Sequence, residues 1–321
     1  MAIGHWRSAI GRQQVGGAVT LMFSLSSFRH RLSAIGHKLP ASFLVAALAA
    51  VALLTWAAVA TRPDDRWHIF FLDVGEGDAI FIQTSNGQKV LVDGGSSPAT
   101  ITNALGRRLP FWDRKLDLVV LTHAHEDHLT GLMEVLQRYQ VQQVLEPGYP
   151  QTSAMYLQFL QTIREKRITY RVARAGQRLD LAGAYLTVLH PGPSFISSTP
   201  SDLNNNSVVL RLVIGKVAIL LPGDVDEPAQ AAILSRGGEL TSTVLKVPHH
   251  GSRTALTADF LPAVSPAVAI VCVGADNTFG HPAPETLEQL RAAGVKVYRT
   301  DQNGTIEIIT DGTGYTVRTG R

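Results

Sequence analysis

Residues 121–131 read LTHAHEDHLTG. Three histidines, a glutamate and an aspartate crowd between His123 and His128, in a chain with 11 histidines and 17% charged residues. The apolar stretch LDLVVL (116–121) precedes them and reads as a strand. LTGLMEVLQRY (129–139) follows with helical spacing. The cluster therefore lies in a loop between a strand and a helix. His123 and His125 are two apart, so in extended backbone both side chains point to one side and can share one metal ion. Asp127 and His128 come where the chain begins to turn and can serve a neighbouring ion. Imidazole with carboxylate suits zinc, manganese or ferrous iron. A solvated polar loop is the bland alternative, but it does not account for three imidazoles at this spacing after an apolar strand.

A metal site needs donors from elsewhere in the chain. VAILLPGD (217–224) ends an apolar run with Gly223 and Asp224, and VLKVPHHGS (244–252) ends another with His249 and His250. Gly-Asp alone is an ordinary turn. As one of three polar clusters at strand ends it becomes a candidate ligand, because strand ends at one edge of packed sheets converge. The carboxylate of Asp224 can bridge two cations. Lys246, on the strand before the histidines, reads as structural.

The remaining text alternates strands and helices. WHIFFLDVG, DAIFIQTS and KVLVDGG, from Trp67 to Gly95, form an apolar meander broken by glycine and Asn86-Gly87. Helices are expected after Pro98 and at 129–139, 153–166, 227–236, 256–264 and 283–293. Further strands are expected at 141–147, 184–190, 207–214, 216–221, 243–247 and 268–273, with a final hairpin turning at Asp311-Gly312. Two sheets packed face to face, with helices outside, satisfy this order.

Upstream, FLVAALAAVALLTWAAVA (43–60) is an uncharged run of 18 residues, long enough to cross a bilayer core as a helix. Arg29, Arg31 and Lys38 precede it and would hold the N-terminus in the cytoplasm. The expected organisation is a cytoplasmic tail (1–42), a transmembrane helix or signal segment (43–60), a linker (61–66) and one domain (67–321). That domain would then lie on the outer side of the cytoplasmic membrane on a single-pass anchor. The alternative is secretion after cleavage near Ala60, at the Ala58-Val59-Ala60 site. The sequence pI of about 9.1 suggests nucleic-acid binding. Residues 1–66 hold seven basic and two acidic residues, however. Of the 29 and 26 in the whole chain, this leaves 22 basic against 24 acidic for the domain. Polyanion binding would need a local patch. One cysteine, Cys272, excludes an intrachain disulfide.

Taken together, FLDVGEGDAIFI (71–82), VLVDGG (90–95), THAHEDH (122–128), LNNNSVVLRL (203–212), LLPGD (220–224), LKVPHHGS (245–252) and NTFGHP (277–282) resemble the metallo-β-lactamase superfamily. More narrowly they resemble the hydrolase domain of the ComEC-like group of DNA-uptake proteins. The resemblance covers nearly all of residues 67–321. It implies an α/β, four-layer αββα sandwich with one or two divalent ions, zinc or manganese. It places His123 and His125 on one metal, Asp127, His128 and His250 on a second, and Asp224 between them. Whether His249 or His250 is the ligand stays open, the other contacting substrate. Asp127 would orient a metal-bound hydroxide, and His249 or His281 would protonate the leaving group. Asn206, Ser252 and His281 match positions that would meet the substrate. Asp73, Asp78 and Asp93 could steady the histidines through their free ring nitrogens.

One departure stands out. Most of the superfamily carries a further metal-binding histidine where this chain has Asn204-Asn205-Asn206-Ser207, and His190 is the nearby imidazole that could substitute. An amide oxygen suits manganese or magnesium better than softer ions. The ComEC-like motifs imply a phosphodiesterase or nuclease, with a phosphodiester such as DNA as partner. Alternatives on the same fold are a carboxyl-ester, lactone or β-lactam hydrolase, an envelope-modifying esterase, or a non-catalytic DNA-binding component of an uptake system. These 321 residues carry one apolar run in place of the long membrane-embedded region of the full DNA-uptake proteins, so DNA translocation is not expected of them.

Overall fold

The computed structural model describes residues 40–60 and 64–321, with the side chains of 57–60 set aside. The tail expected at 1–42 and the start of the linker at 61–66 fall mostly outside the described residues. Two compact units result, one ending at Ala60 and one beginning at Thr61.

In the first unit, helix α1 (Ala41–Ala60) runs unbroken through the apolar stretch with no charged residue. Its described side chains, from Phe43 to Trp56, are exposed. Among the described residues no helix is long and apolar enough to cross a membrane. The transmembrane helix expected at 43–60 is therefore not shown among the described residues.

The second unit is built on two sheets. The first has eight strands in the order β17-β16-β1-β2-β3-β5-β7-β8. These are β1 (Trp67–Phe71), β2 (Ile80–Gln83), β3 (Lys89–Val92), β5 (Leu118–Val120), β7 (Gln143–Glu146), β8 (Thr169–Val172), β16 (Ile306–Thr310) and β17 (Tyr315–Thr319). A short parallel pair, β4 (Lys115–Leu116) and β6 (Gln140–Val141), stands beside it. The second sheet runs β15-β14-β13-β12-β11-β10-β9. Its members are β9 (Arg178–Leu181), β10 (Ala184–His190), β11 (Val209–Ile214), β12 (Val217–Leu221), β13 (Val244–Lys246), β14 (Val268–Val271) and β15 (Lys296–Arg299).

The pairing changes within each sheet. The early hairpins are antiparallel, whereas β3, β5, β7 and β8 are parallel, as are β12 to β15. Parallel neighbours deliver their C-terminal ends to one edge, and that edge holds the polar clusters.

The apolar residues sort into layers. Ile69, Phe71, Val90 and Val120 of the first sheet meet Leu186, Leu212, Ile219 and Ile270 of the second in a central core. The outer face of the first sheet, with Phe81, Leu91 and Val119, is covered by helices α2 (Pro98–Gly106), α3 (Glu126–Arg138) and α4 (Ala154–Glu165). The outer face of the second, with Leu220, Leu245 and Ala269, is covered by α5 (Glu227–Arg236), α6 (Phe260–Val264) and α7 (Pro284–Ala292). The order helix, sheet, sheet, helix is the expected four-layer sandwich. A fully buried Leu, Ile or Phe stabilises such a core by about 1.5–3 kcal/mol.

Helix α3 begins three residues before its expected start at 129. Glu126 and Asp127 form its first turn, where acidic side chains meet the positive end of the helix dipole. This places Asp127 and His128 on a rigid element. Gly131 brings the helix onto the loop after β3: a Cβ there would stand 1.9 Å from the carbonyl oxygen of Gly94. Only glycine permits that approach.

Candidate metal centre

The ligand candidates come from four strand ends. β5 leads into His123, His125, Asp127 and His128, β12 into Asp224, β13 into His249 and His250, and β3 into Asp93. Asp127, His128, Asp224 and His250 converge, each offering a donor atom within 4.8 Å of the others. His250 Nε2 lies 3.1 Å from both the Asp127 and the Asp224 carboxylate. His128 Nε2 lies 3.4 and 3.3 Å from the same two. Both nitrogens are buried, yet neither makes a hydrogen bond of good geometry. Their lone pairs converge with the carboxylate oxygens on a shared point, as a cation's ligands do.

The far side of each ring explains this aim. His128 donates from Nδ1 to Asp93 Oδ2 over 2.9 Å, and His250 donates from Nδ1 to the Cys272 carbonyl over 2.9 Å. Each bond leaves the Nε2 lone pair free to face the cluster. Asp93 also accepts from the Thr122 backbone N–H and hydroxyl, both at 2.7 Å. Thr122 Oγ1 in turn faces His123 Nδ1 at 3.1 Å. One buried carboxylate thus sets two of the imidazoles.

His123 Nε2 lies 3.1 Å from His125 Nδ1 and 3.9 Å from Asp224 Oδ2. The pair reaches the cluster through His123 and Asp224, so Asp224 stands between two donor groups as a bridging carboxylate would. The backbone at His249 and His250 is left-handed, with φ of 46° and 51°. For side chains with a Cβ this costs about 1–3 kcal/mol each. It separates the two rings: His250 enters the cluster, while His249 Nδ1 faces Asp226 Oδ1 at 3.1 Å.

Electrostatics match a cation site. Burial alone disfavours imidazolium at His250, but Asp224 and Asp127 overcome it and raise its pKa to about 10. Burial also opposes charge on His128, and Asp224, Asp127 and Asp93 raise it well above 6.5. Burial would raise Asp224, yet His250, His128 and Lys246 hold it well below the usual carboxylate range. His123 is driven the other way, well below 6.5, by burial and by its neighbour His128. Positive charge is demanded between the carboxylates, and a divalent ion supplies it by displacing protons. The donor set fits a metal.

Several side chains took roles the sequence did not reveal. Lys246 is fully buried, and its ammonium touches Asp78, stands 3.3 Å from Asp224 Oδ1 and donates to the Gly223 carbonyl at 3.0 Å. It is the counter-ion of the site's carboxylates rather than a bystander. Asp78 serves it directly and reaches His250 Nδ1 only at 3.5 Å. Glu76, Asn204 and Phe279 line a cavity of about 510 Å³ beside the cluster, with His125, His249, His250 and His281. No local spacing marks these residues; the loops that carry them meet only in three dimensions. Gly77 lets the first of those loops close on the cluster. Its φ is +93°, and a Cβ there would stand 1.7 Å from the Asp127 carbonyl oxygen.

Other expected residues are not brought to the site. Asn206 is fully buried; its amide donates to the Ile196 and Asp202 carbonyls and accepts from Ile196 N–H, so it pins its own loop. Asn204 is the asparagine that faces the cavity, and its Oδ1 is buried without a partner. Ser252 is buried, with its hydroxyl against Thr254 Oγ1. The Asp73 carboxylate pairs with Arg321 at 3.1 Å, away from the histidines. His190 cannot substitute for the absent histidine: Nε2 donates to the Asn205 carbonyl and Nδ1 accepts from Arg236, each at 2.9 Å. Burial lowers its pKa to about 4.

Residues 72–275 match the family model described as the metallo-beta-lactamase superfamily. Among curated proteins, the chain is similar to ComE operon protein 3 of Bacillus subtilis, with 28% identity over 252 residues, covering 74% of this chain and 32% of the relative. It is also similar to Competence protein ComA of Neisseria gonorrhoeae, with 30% identity over 248 residues, covering 76% and 32%. The chain therefore spans about a third of the length of these relatives. Among solved structures it is similar to the metallo-beta-lactamase fold protein YhfI of Bacillus subtilis. The TM-score is 0.51 and the identity 12%, over 75% of this chain and 99% of that one. Likeness at that identity concerns the fold alone.

Proposed function

The chain belongs to the metallo-beta-lactamase superfamily, and from that premise we propose that it is a metal-dependent phosphodiesterase acting on DNA or a smaller phosphoester. The observation that carries the hydrolytic reading is the convergence of two buried imidazole nitrogens on the carboxylates of Asp127 and Asp224, beside an open cavity. The phosphodiester reading is supported by similarity to ComE operon protein 3 and to a relative named for competence, Competence protein ComA.

Asp127, His128 and His250 would hold one divalent ion and His123 with His125 another, Asp224 serving both. A bound divalent ion lowers the pKa of water towards 7 and stabilises charge developing on a reacting oxygen. The protein's own groups do the rest. Asp127 lines the cavity and would orient the attacking nucleophile. Asp226 holds the His249 ring by Nδ1, and the Asn204 amide nitrogen faces its Nε2 at 3.4 Å; on release of that contact a protonated Nε2 would return a proton to the leaving oxygen. His281, 5.7 Å from His249 between ring centres, borders the same space. The Asn204 amide oxygen, buried without a partner at the cavity, would be a hard donor if it reached the ion, and would then favour manganese over zinc. The domain would act on the outer side of the cytoplasmic membrane, held by α1, because basic residues precede the apolar run.

The test compares substrates. The chain in detergent, with manganese or zinc added, is offered bis-p-nitrophenyl phosphate, nitrocefin and acyl lactones. Turnover of the diester is expected. Turnover confined to nitrocefin or lactones would replace the phosphodiesterase reading with an acyl hydrolase. Failure to turn over any of them, with no metal retained, would favour the DNA-binding alternative.

A further inference from the structure

Phe279 is an aromatic ring left bare at the cavity beside the metal cluster. It is 71% exposed, whereas Phe71, Phe81, Phe159 and Phe260 are buried. A single exposed apolar side chain is ordinary on a protein surface. This one is set apart by where it stands and by how it is held. It lines the same cavity as Asp127, Asp224 and His250. Its ring lies nearly parallel to that of His281, at an interplanar angle of 19° with ring centres 6.0 Å apart. His281 borders His249, and His249 borders His250, with ring centres 5.7 and 6.2 Å apart. A row of flat rings thus leads from solvent to the cluster.

The loop is also fixed from within. The Asn277 amide donates to the His281 and Gly274 carbonyls at 2.8 and 3.2 Å and accepts from the His281 N–H at 3.0 Å. A ring held in place by its backbone loses little freedom when a ligand settles on it.

We propose that Phe279, backed by His281, is a stacking platform for a nucleobase next to the scissile phosphate, so that unpaired nucleic acid is the preferred substrate class. This rests on the phosphodiesterase reading and narrows it. A base in a duplex already has both faces covered by its neighbours, whereas an unpaired base offers a face to an aromatic side chain. Such stacking contributes about 1–3 kcal/mol per base and tolerates any base.

The experiment compares two single-stranded oligonucleotides with the full chain in detergent. One carries all its bases. The other carries tetrahydrofuran abasic residues on both sides of the cleaved linkage. The bases are expected to raise kcat/KM about 5- to 150-fold in the wild type. Phe279→Leu, equally apolar but without a flat face, should bring the ratio near one, and Phe279→Trp should restore it. Equal cleavage of both oligonucleotides by the wild type would overturn the platform while leaving the phosphodiesterase reading intact. So would a ratio unchanged in Phe279→Leu. Cleavage of neither, with diester probes also untouched, would overturn the reading and the platform together.

Discussion

Replacing Lys246 with methionine keeps most of the side-chain stem and strips the positive charge from between Asp78 and Asp224. Lys246, Asp78 and Asp224 are each 2% exposed or less, so water cannot take over the lost role. Removing one partner of a buried ion pair costs about 3–5 kcal/mol, because the other charge stays buried and unpaired. Asp78 loses its nearest charged partner, whereas Asp224 keeps His250 and His128 at 3.1 and 3.3 Å, so the whole of that range applies. In a domain of this size each kcal/mol moves the melting temperature by about 2–4 °C. Lys246→Met should therefore melt about 6–20 °C below wild type. The measurement is thermal unfolding by far-UV circular dichroism in chelator, so that a bound cation does not mask the loss. The Asp78→Asn/Lys246→Met double variant removes one stranded carboxylate and should regain at least about 1 kcal/mol of the deficit. A single variant that melts within about 2 °C of wild type would refute the reasoning.

Gly77→Ala should lower diester turnover about 100-fold, since its Cβ meets the Asp127 carbonyl and a shift of about 1 Å in a reacting group costs that much. Gly75→Ala is the control: it also has positive φ but nothing within 4 Å, so only backbone strain of about 1–2 kcal/mol is expected, with turnover retained. A third prediction concerns pH. His68 Nδ1 lies 2.6 Å from Glu307 Oε1, and that bond raises its pKa above 6.5 against the opposing effect of burial. A raised folded pKa adds stability that is fully present below about pH 6.5 and is lost as pH rises through the folded value. Glu307→Gln should thus destabilise the protein at pH 6 more than at pH 9, as read by urea unfolding at both. An equal loss at both pH values would count against the ion pair.

The sequence carried the parts of this structure that rest on local pattern. His123 to His128, Asp224 and His249-His250 were legible because each closes an apolar strand. The strands it did not reveal are β8, β9 and β15, and each lies at an edge of its sheet. Each is only four residues long, carries two apolar or aromatic positions and is partly solvated at its edge, so its strand signal is weak. Lys246 reads as structural, but the sequence does not show which groups it serves. A lysine on a strand usually reaches water, and only the fold shows that this one ends between two carboxylates. Asn204 and Asn206 sit two apart in one run and could not be told apart by sequence. A single turn of 3-10 helix sends one amide to the cavity and the other into its own loop.

The central claim is that Asp127, His128, Asp224 and His250 hold a divalent ion that the protein uses. The most direct test is metal analysis of the purified chain, wild type beside Asp224→Ala, with diester turnover and the far-UV spectrum recorded on the same samples. The account predicts at least about one ion per wild-type chain. It also predicts loss of both metal and turnover in the variant, with an unchanged spectrum. A wild type that retains no ion after exposure to manganese or zinc, or a variant that keeps both metal and turnover, would contradict it.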